Sequence, residues 1–150
     1  MNPCHQRSRR LSERGGWQPG RRIDSAAWRS QPKLEGLHMH AAAESFLQEF
    51  GGLDVWLSGP GISCARTSFE LDPALARGEG DRFTEWSASI GRHLYPLGEL
   101  DHGRFFLGID EFREIYLVEA WLASYGRMPE ALENLVLGVA PVDVTAPDRP

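Results

Sequence analysis

Residues 94–118 read LYPLGELDHGRFFLGIDEFREIYLV, and they give the clearest indication of the fold class. It contains three runs rich in branched and aromatic residues, which predict strands over Leu94–Leu97, Arg104–Ile109 and Ile115–Val118. The second and third strands are joined only by Asp110–Glu114. Because parallel neighbours need a much longer crossover, connections this short favour antiparallel pairing. The stretch therefore predicts an antiparallel sheet.

A helix and two further strands are predicted before this stretch. Residues 40–50 place their apolar side chains on one helical face, and Gly51-Gly52 can supply the left-handed residue that ends many helices. The apolar positions are Ala42, Ala43, Phe46, Leu47 and Phe50. The alternation over Leu53–Leu57 predicts a strand, Gly59–Gly61 a turn, and Ile62–Leu71 a second strand. These two strands are expected to form a β-hairpin.

Three more helices are predicted from capping residues and helical spacing. Asp24 or Ser25 can cap a short helix, and Asp81 can cap a longer one that is followed by Gly91. Met128–Leu137 forms the last helix, with a proline in its first turn and a glycine after its end. Elements in this order predict an α+β fold, a single domain with a mostly antiparallel sheet packed with about four helices.

The 150-residue length fits one globular domain, and 41% hydrophobic residues are enough to form its core. Residues 1–14 contain a single leucine and no periodicity, so they are expected to form a flexible basic tail. The domain is predicted over residues 15–140, with the ring of Trp17 anchoring its first turn to the core. Residues 141–150 contain three prolines and are expected to form a flexible exit tail.

Charge is distributed unevenly along the chain. Residues 1–33 hold eight basic and two acidic residues, whereas residues 34–150 hold eight basic and nineteen acidic residues, a balance of −11. No apolar run is long enough for a transmembrane helix or placed as in a secretory signal, so a cytoplasmic protein is expected. Cys4 and Cys64 fit neither a disulfide framework nor a zinc site and are expected to be free thiols.

Residues that could carry chemistry are sparse. The chain has no P-loop, no complete dinucleotide-binding motif and no Gly-x-Ser-x-Gly elbow, so no cofactor is expected. His38-x-His40 is an incomplete metal site that a loop entering a helix explains equally well. Asp101-His102 with Asp110-Glu111 is the best acid/base arrangement, but neither a nucleophile nor an oxyanion donor accompanies it. The residues favour a protein that is not an enzyme.

Several separated blocks carry a family resemblance. They are Trp17-x-Pro19-Gly20-Arg21, Phe46-Leu47-x-x-Phe50-Gly51-Gly52-Leu53, Pro96-Leu97-Gly98-Glu99 and Phe106-Leu107-Gly108-Ile109-Asp110. With their flanking residues they resemble the third subgroup of the SUKH superfamily, bacterial immunity proteins found beside polymorphic toxins. The resemblance covers roughly residues 15–140, and the basic tail before Gly15 falls outside the family pattern.

The resemblance implies an α+β fold without catalysis, which binds a cognate toxin domain tightly in the cytoplasm of the producing cell. The toxins bound by such proteins are often nucleases or nucleic-acid deaminases. The superfamily also includes eukaryotic regulators of cell-wall synthesis and viral proteins, so an intracellular regulator or scaffold on the same fold is the alternative. Neither direct nucleic-acid binding nor membrane association is expected, and the oligomeric state is left open.

The negative balance suggests a surface that attracts a basic toxin. The predicted contact residues lie in loops and at a helix start: Glu79, Asp81, Glu85, Asp101, Asp110, Glu111 and Glu114. Phe112 stands where an Asn-Gly type of hairpin turn is expected, so its ring is predicted to be exposed at the tip and to anchor the partner. The alternative is that these charges serve solubility alone.

Overall fold

The structure of the protein, a computed structural model, describes residues 20–29 and 37–144. The chain order is α1 (Ala26–Arg29), α2 (Ala41–Phe50), β1 (Asp54–Val55), β2 (Phe69–Glu70), a 3-10 helix (Pro73–Ala76), α3 (Gly80–Ile90), β3 (Tyr95–Leu100), β4 (Phe105–Ile109), β5 (Glu114–Val118), β6 (Leu122–Arg127), α4 (Glu130–Leu137) and β7 (Val142–Asp143). The seven strands form one sheet in chain order, each antiparallel to the next. The predicted α+β class and antiparallel sheet are confirmed.

The middle of the sheet is packed on both faces. Alternate residues of a strand point to opposite faces, and in β5 Ile115 and Leu117 join a larger hydrophobic cluster while Tyr116 and Val118 join a smaller one. The larger cluster contains the buried side chains of α2 and α4, and the smaller one is built around Phe83 of α3. Helices therefore cover both faces of the sheet around β5.

Helix α2 confirms the helix predicted over residues 40–50. Its buried side chains are the predicted ones: Ala42, Ala43, Phe46, Leu47 and Phe50. His40 is the N-cap, because its Nδ1 accepts a hydrogen bond from the Ala43 N–H at 3.2 Å. Its Nε2 lies 2.9 Å from the His93 carbonyl oxygen and donates to it. The His38-x-His40 pattern thus contains a capping residue that joins α2 to the start of β3.

Two details of the predicted helices are corrected. Helix α3 begins at Gly80 after Glu79, so Asp81 lies in its first turn and is not its cap. The number of about four helices is not confirmed, because the described residues contain three helices of at least eight residues. Segment α1 is a single turn of four residues, where the Asp24 carboxylate accepts from the Ala26 N–H at 2.9 Å as the capping prediction requires.

The predicted hairpin over residues 53–71 is correct only at its base. Strands β1 and β2 pair as expected but have two residues each. The strand predicted from Ile62 is wrong over residues 62–68, and Ile62 is 70% exposed. The loop is instead bound to the end of α4, since the N–H groups of Ile62 and Cys64 donate to the carbonyls of Leu137 and Gly138 at 3.0 Å. Cys64 is an exposed free thiol in this loop.

Strands β6 and β7 are absent from the sequence prediction. The sequence of β6, LASYGR, has few of the branched residues that mark strands, yet its first four residues are buried. Strand β7 lies in the segment expected to be an exit tail, where Val142 pairs with Ser124 and Asp143 with Ala123. Pairing with neighbouring strands, rather than local propensity, places both segments in the sheet.

Several sequence predictions concern residues outside the described ranges. They include the basic tail, the turn around Trp17 and Pro19, and the end of the C-terminal segment. The burial of Trp17 therefore stays a prediction. Within the ranges that the structure covers, no helix is both long and apolar enough to cross a membrane.

Candidate partner-binding surface

Asp110 was predicted to be an exposed contact residue, but its side chain is fully buried. The carboxylate accepts hydrogen bonds from the backbone N–H groups of Phe112 at 2.8 Å and Glu114 at 2.9 Å, and from the Tyr116 hydroxyl at 3.0 Å. Arg92 forms an ion pair with it at 3.4 Å. Burial, with the Asp110 charge adding to it, raises the pKa of Tyr116. Asp110 holds the β4–β5 loop together and is not available to a partner.

The acidic neighbours of Asp110 also have partners inside the molecule. Glu111 accepts a hydrogen bond from the His93 N–H at 2.9 Å, and Glu114 accepts one from the Ser124 hydroxyl at 2.5 Å. Partial burial favours a higher pKa for Glu111, but the bonded N–H groups and nearby imidazoles outweigh it and lower the pKa. Both carboxylates therefore bind donors within the protein, which stabilises the loop, and they are only partly accessible to a partner.

Phe112 is 51% exposed at the tip of the β4–β5 loop, as predicted. The next residue, Arg113, has φ 71°, so it takes the left-handed conformation for which hairpin turns usually use glycine or asparagine. The guanidinium carbon of Arg92 lies 4.5 Å from the centre of the Phe112 ring. The exposed ring therefore has a cation directly over it.

Of the acidic residues predicted around α3, Glu79 and Asp81 lie at the start of that helix and Glu85 lies in its middle. Asp81 and Glu85 are exposed, and Glu79 forms an ion pair with Arg82 at 3.4 Å. Arg82 also binds Glu119, in the turn between β5 and β6, at 2.8 Å. The start of α3 is thus fixed beside that turn, whereas Arg92, just after its end, binds the β4–β5 loop.

The predicted contact residues do not form one surface. Asp101 lies in the β3–β4 turn, where it pairs with Arg104 at 3.4 Å, while Asp110 and Glu111 lie beyond the other end of β4. Five strand residues at about 3.4 Å each separate the two loops by roughly 17 Å. His102 therefore does not lie near Asp110 and Glu111, and the predicted acid/base arrangement does not form. In the described part of the chain, no group of three or more His, Cys, Asp or Glu residues could hold a metal ion.

Sequence reasoning missed an acidic row across the first three strands. Asp54 of β1 pairs with Glu70 of β2, which pairs with Glu99 of β3. Directly paired residues point to the same face of a sheet, so the three carboxylates lie side by side. Asp54 is exposed, and the other two are half-buried. They are far apart in sequence, and only the strand register brings them together.

Two aromatic side chains lie beside the acidic row. Trp56 follows β1 and is 57% exposed. The centre of its ring lies 5.3 Å from the centre of the exposed His102 ring in the β3–β4 turn. Together with the row they line a small pocket of about 60 Å³. We call this surface the β1–β3 face, and it consists of Asp54, Trp56, Glu70, Glu99 and His102.

The row is electrostatically unfavourable in the free protein. Within the described residues, no Arg, Lys or His lies within ion-pair distance of its three carboxylates. Burial raises the pKa of Glu70 above its ordinary value, and the charges of Asp54 and Glu99 add to the shift. Like charges directly opposite each other destabilise a sheet. The fold therefore carries this row at a cost in stability.

Replacing Glu70 by glutamine is expected to raise the free energy of unfolding at pH 7 by about 0.5 kcal/mol, because two like-charge cross-strand pairs disappear. The penalty exists while Glu70 is ionised in the folded protein, so the gain should shrink as the pH falls through its raised pKa. Urea denaturation at pH 7 and near pH 4.5 measures both effects. Glu85→Gln on the exposed side of α3 is the control, and an equal gain in that variant would contradict the interpretation.

Comparison with known proteins identifies the family. The model of the SUKH-3 immunity protein family matches residues 8–138. This chain belongs to the SUKH-3 immunity protein family, as the sequence blocks indicated. The match begins at residue 8, so residues 8–14, which were expected to fall outside the family pattern, lie within it. No curated protein and no solved structure gives a significant match.

Proposed function

We propose that this protein binds a cognate bacterial toxin domain and neutralises it without catalysis. The observation that carries the proposal is the match to the SUKH-3 immunity protein family over residues 8–138. That match spans most of the chain, including strands β1 to β6 and helices α2, α3 and α4. The site of action would be the cytoplasm of the cell that makes the toxin.

The negative charge of the chain after its basic N-terminal segment supports a basic partner. Residues 34–150 carry a balance of −11, and complementary potentials speed the encounter of two proteins and exclude wrong partners. Enzymes that act on nucleic acids need basic surfaces to bind the phosphate backbone. A nuclease or nucleic-acid deaminase is therefore the toxin class that best fits this negative charge.

A survival experiment tests the proposal. We expect the gene beside this one to encode a large secreted protein that ends in a toxin domain. Bacteria that express this toxin domain should survive only when they also express the full-length chain, and the two should purify together as a complex. Cells that carry an empty vector control for toxicity. An isolated gene among metabolic or cell-wall genes, or no protection by a well-expressed chain, would favour the regulator or scaffold alternative.

A further inference from the structure

We propose that the toxin domain docks on the β1–β3 face, and that the part of the toxin in contact with it is basic. This inference rests on the proposed function and adds the location of the interface. It differs from the sequence prediction, which placed the aromatic anchor at Phe112. The two surfaces differ in charge, in exposure and in their hydrogen bonds and ion pairs within the protein. These differences favour the β1–β3 face over the hairpin tip at Phe112.

The β1–β3 face presents concentrated negative charge that forms no ion pair within the described residues. Neighbouring strands lie about 4.8 Å apart, so Asp54, Glu70 and Glu99 span about 10 Å across the sheet. Charge held in a partly desolvated row acts more strongly than charge on mobile exposed side chains. A partner that places Lys or Arg side chains on the row would offset the repulsion between the carboxylates, which adds to burial in raising the pKa of Glu70.

Trp56 supplies the apolar part of the surface. Tryptophan is enriched among the residues that carry most of the binding energy in protein interfaces, and this ring is more than half exposed beside the row. The adjoining pocket has a volume of about 60 Å³. A water molecule needs roughly 10–15 Å³ of such space, so the pocket has room for the head group of a lysine or arginine. The surface thus combines an aromatic anchor with a cation-binding recess.

The hairpin tip around Phe112 fits a basic partner less well. Its acidic residues already have partners within the protein. Asp110 is buried, and Glu111 and Glu114 accept hydrogen bonds from other residues of the chain. Arg92 lies over the Phe112 ring, and its charge would repel an approaching cation. Among the residues that the structure describes, Phe112 has an arginine over its ring, whereas Trp56 has none.

Stopped-flow binding of the full-length chain to the purified toxin domain encoded beside it tests the inference. The triple variant D54N/E70Q/E99Q should associate at least tenfold more slowly than wild type at low salt, and its association rate should lose most of its dependence on ionic strength. Trp56→Ala should dissociate at least tenfold faster with little change in association rate. The controls are Phe112→Ala and Glu85→Gln, which should each stay within threefold of wild type.

The outcomes separate the inference from the proposed function. If wild type binds but the triple variant and Trp56→Ala bind equally well, the β1–β3 face is not the interface and the immunity function stands. Weakened binding in Phe112→Ala alone would place the interface at the hairpin tip and also overturn the inference. If wild type does not bind the toxin domain, the proposed function fails, and the inference fails with it. Circular dichroism on each variant confirms that it is folded.

Discussion

Replacing Asp110 by alanine is expected to lower the free energy of unfolding by about 3–5 kcal/mol, the range for breaking a buried charged pair. The buried carboxylate accepts from two loop N–H groups and the Tyr116 hydroxyl, and it pairs with Arg92. Alanine would leave the buried Tyr116 hydroxyl and the partly buried loop N–H groups without this acceptor, and a buried donor without a partner costs about 1–3 kcal/mol. The β4–β5 loop would lose the group that organises it.

Urea denaturation of Asp110→Ala, with Glu111→Ala as the matched control, measures this effect. Glu111 is the adjacent acidic residue, is half-buried and accepts a hydrogen bond from the His93 N–H at 2.9 Å. Its loss should cost about 1 kcal/mol, the usual value of a single hydrogen bond. Equal destabilisation of the two variants would show that Asp110 is no more important than its partly exposed neighbour.

Replacing Gly98 by alanine is expected to destabilise the fold by about 3 kcal/mol or more, from backbone strain and steric overlap together. Gly98 lies at an irregularity in the pairing of β3 with β4 and has φ 153°. A Cβ atom there would lie 1.9 Å from the Glu70 carbonyl oxygen and 2.8 Å from the Asp72 nitrogen. Both neighbours are backbone, so β2 would have to move away from β3.

Gly80→Ala is the control for Gly98→Ala. A Cβ atom at Gly80 would have nothing within 4 Å, and the residue begins helix α3. Alanine is tolerated well in helices, so this variant should match wild type or exceed it in thermal stability. A melting temperature for Gly98→Ala within two degrees of wild type would contradict the close approach of β2 to β3.

Local patterns in the sequence predict the helices and the central strands. The buried face of α2 and the inward residues of α4 follow helical spacing, and glycine ends the pattern of α4. Strands β3, β4 and β5 were predicted from runs of branched and aromatic residues, with ends within three residues of those observed. In each of these segments, local propensity and tertiary packing favour the same structure.

Features that depend on contacts between distant residues were not predictable. Strand β6 has weak propensity and is held between β5 and β7. Asp110 follows a predicted strand and looks like an ordinary loop acid, and only the folded loop shows that its carboxylate is enclosed. The acidic row exists because Asp54, Glu70 and Glu99 share a register, which no local pattern specifies. The Trp56–His102 contact depends on the same register.

Titration of the toxin domain's own activity with the purified full-length chain is the most direct test of the immunity function. The toxin encoded beside the gene is held at a fixed concentration well above the dissociation constant, and its activity is measured as the chain is added. Activity should fall linearly to zero at one equivalent of the chain, because inhibition is by tight binding and not by turnover. Full toxin activity in the presence of a tenfold excess of folded chain would contradict the immunity function.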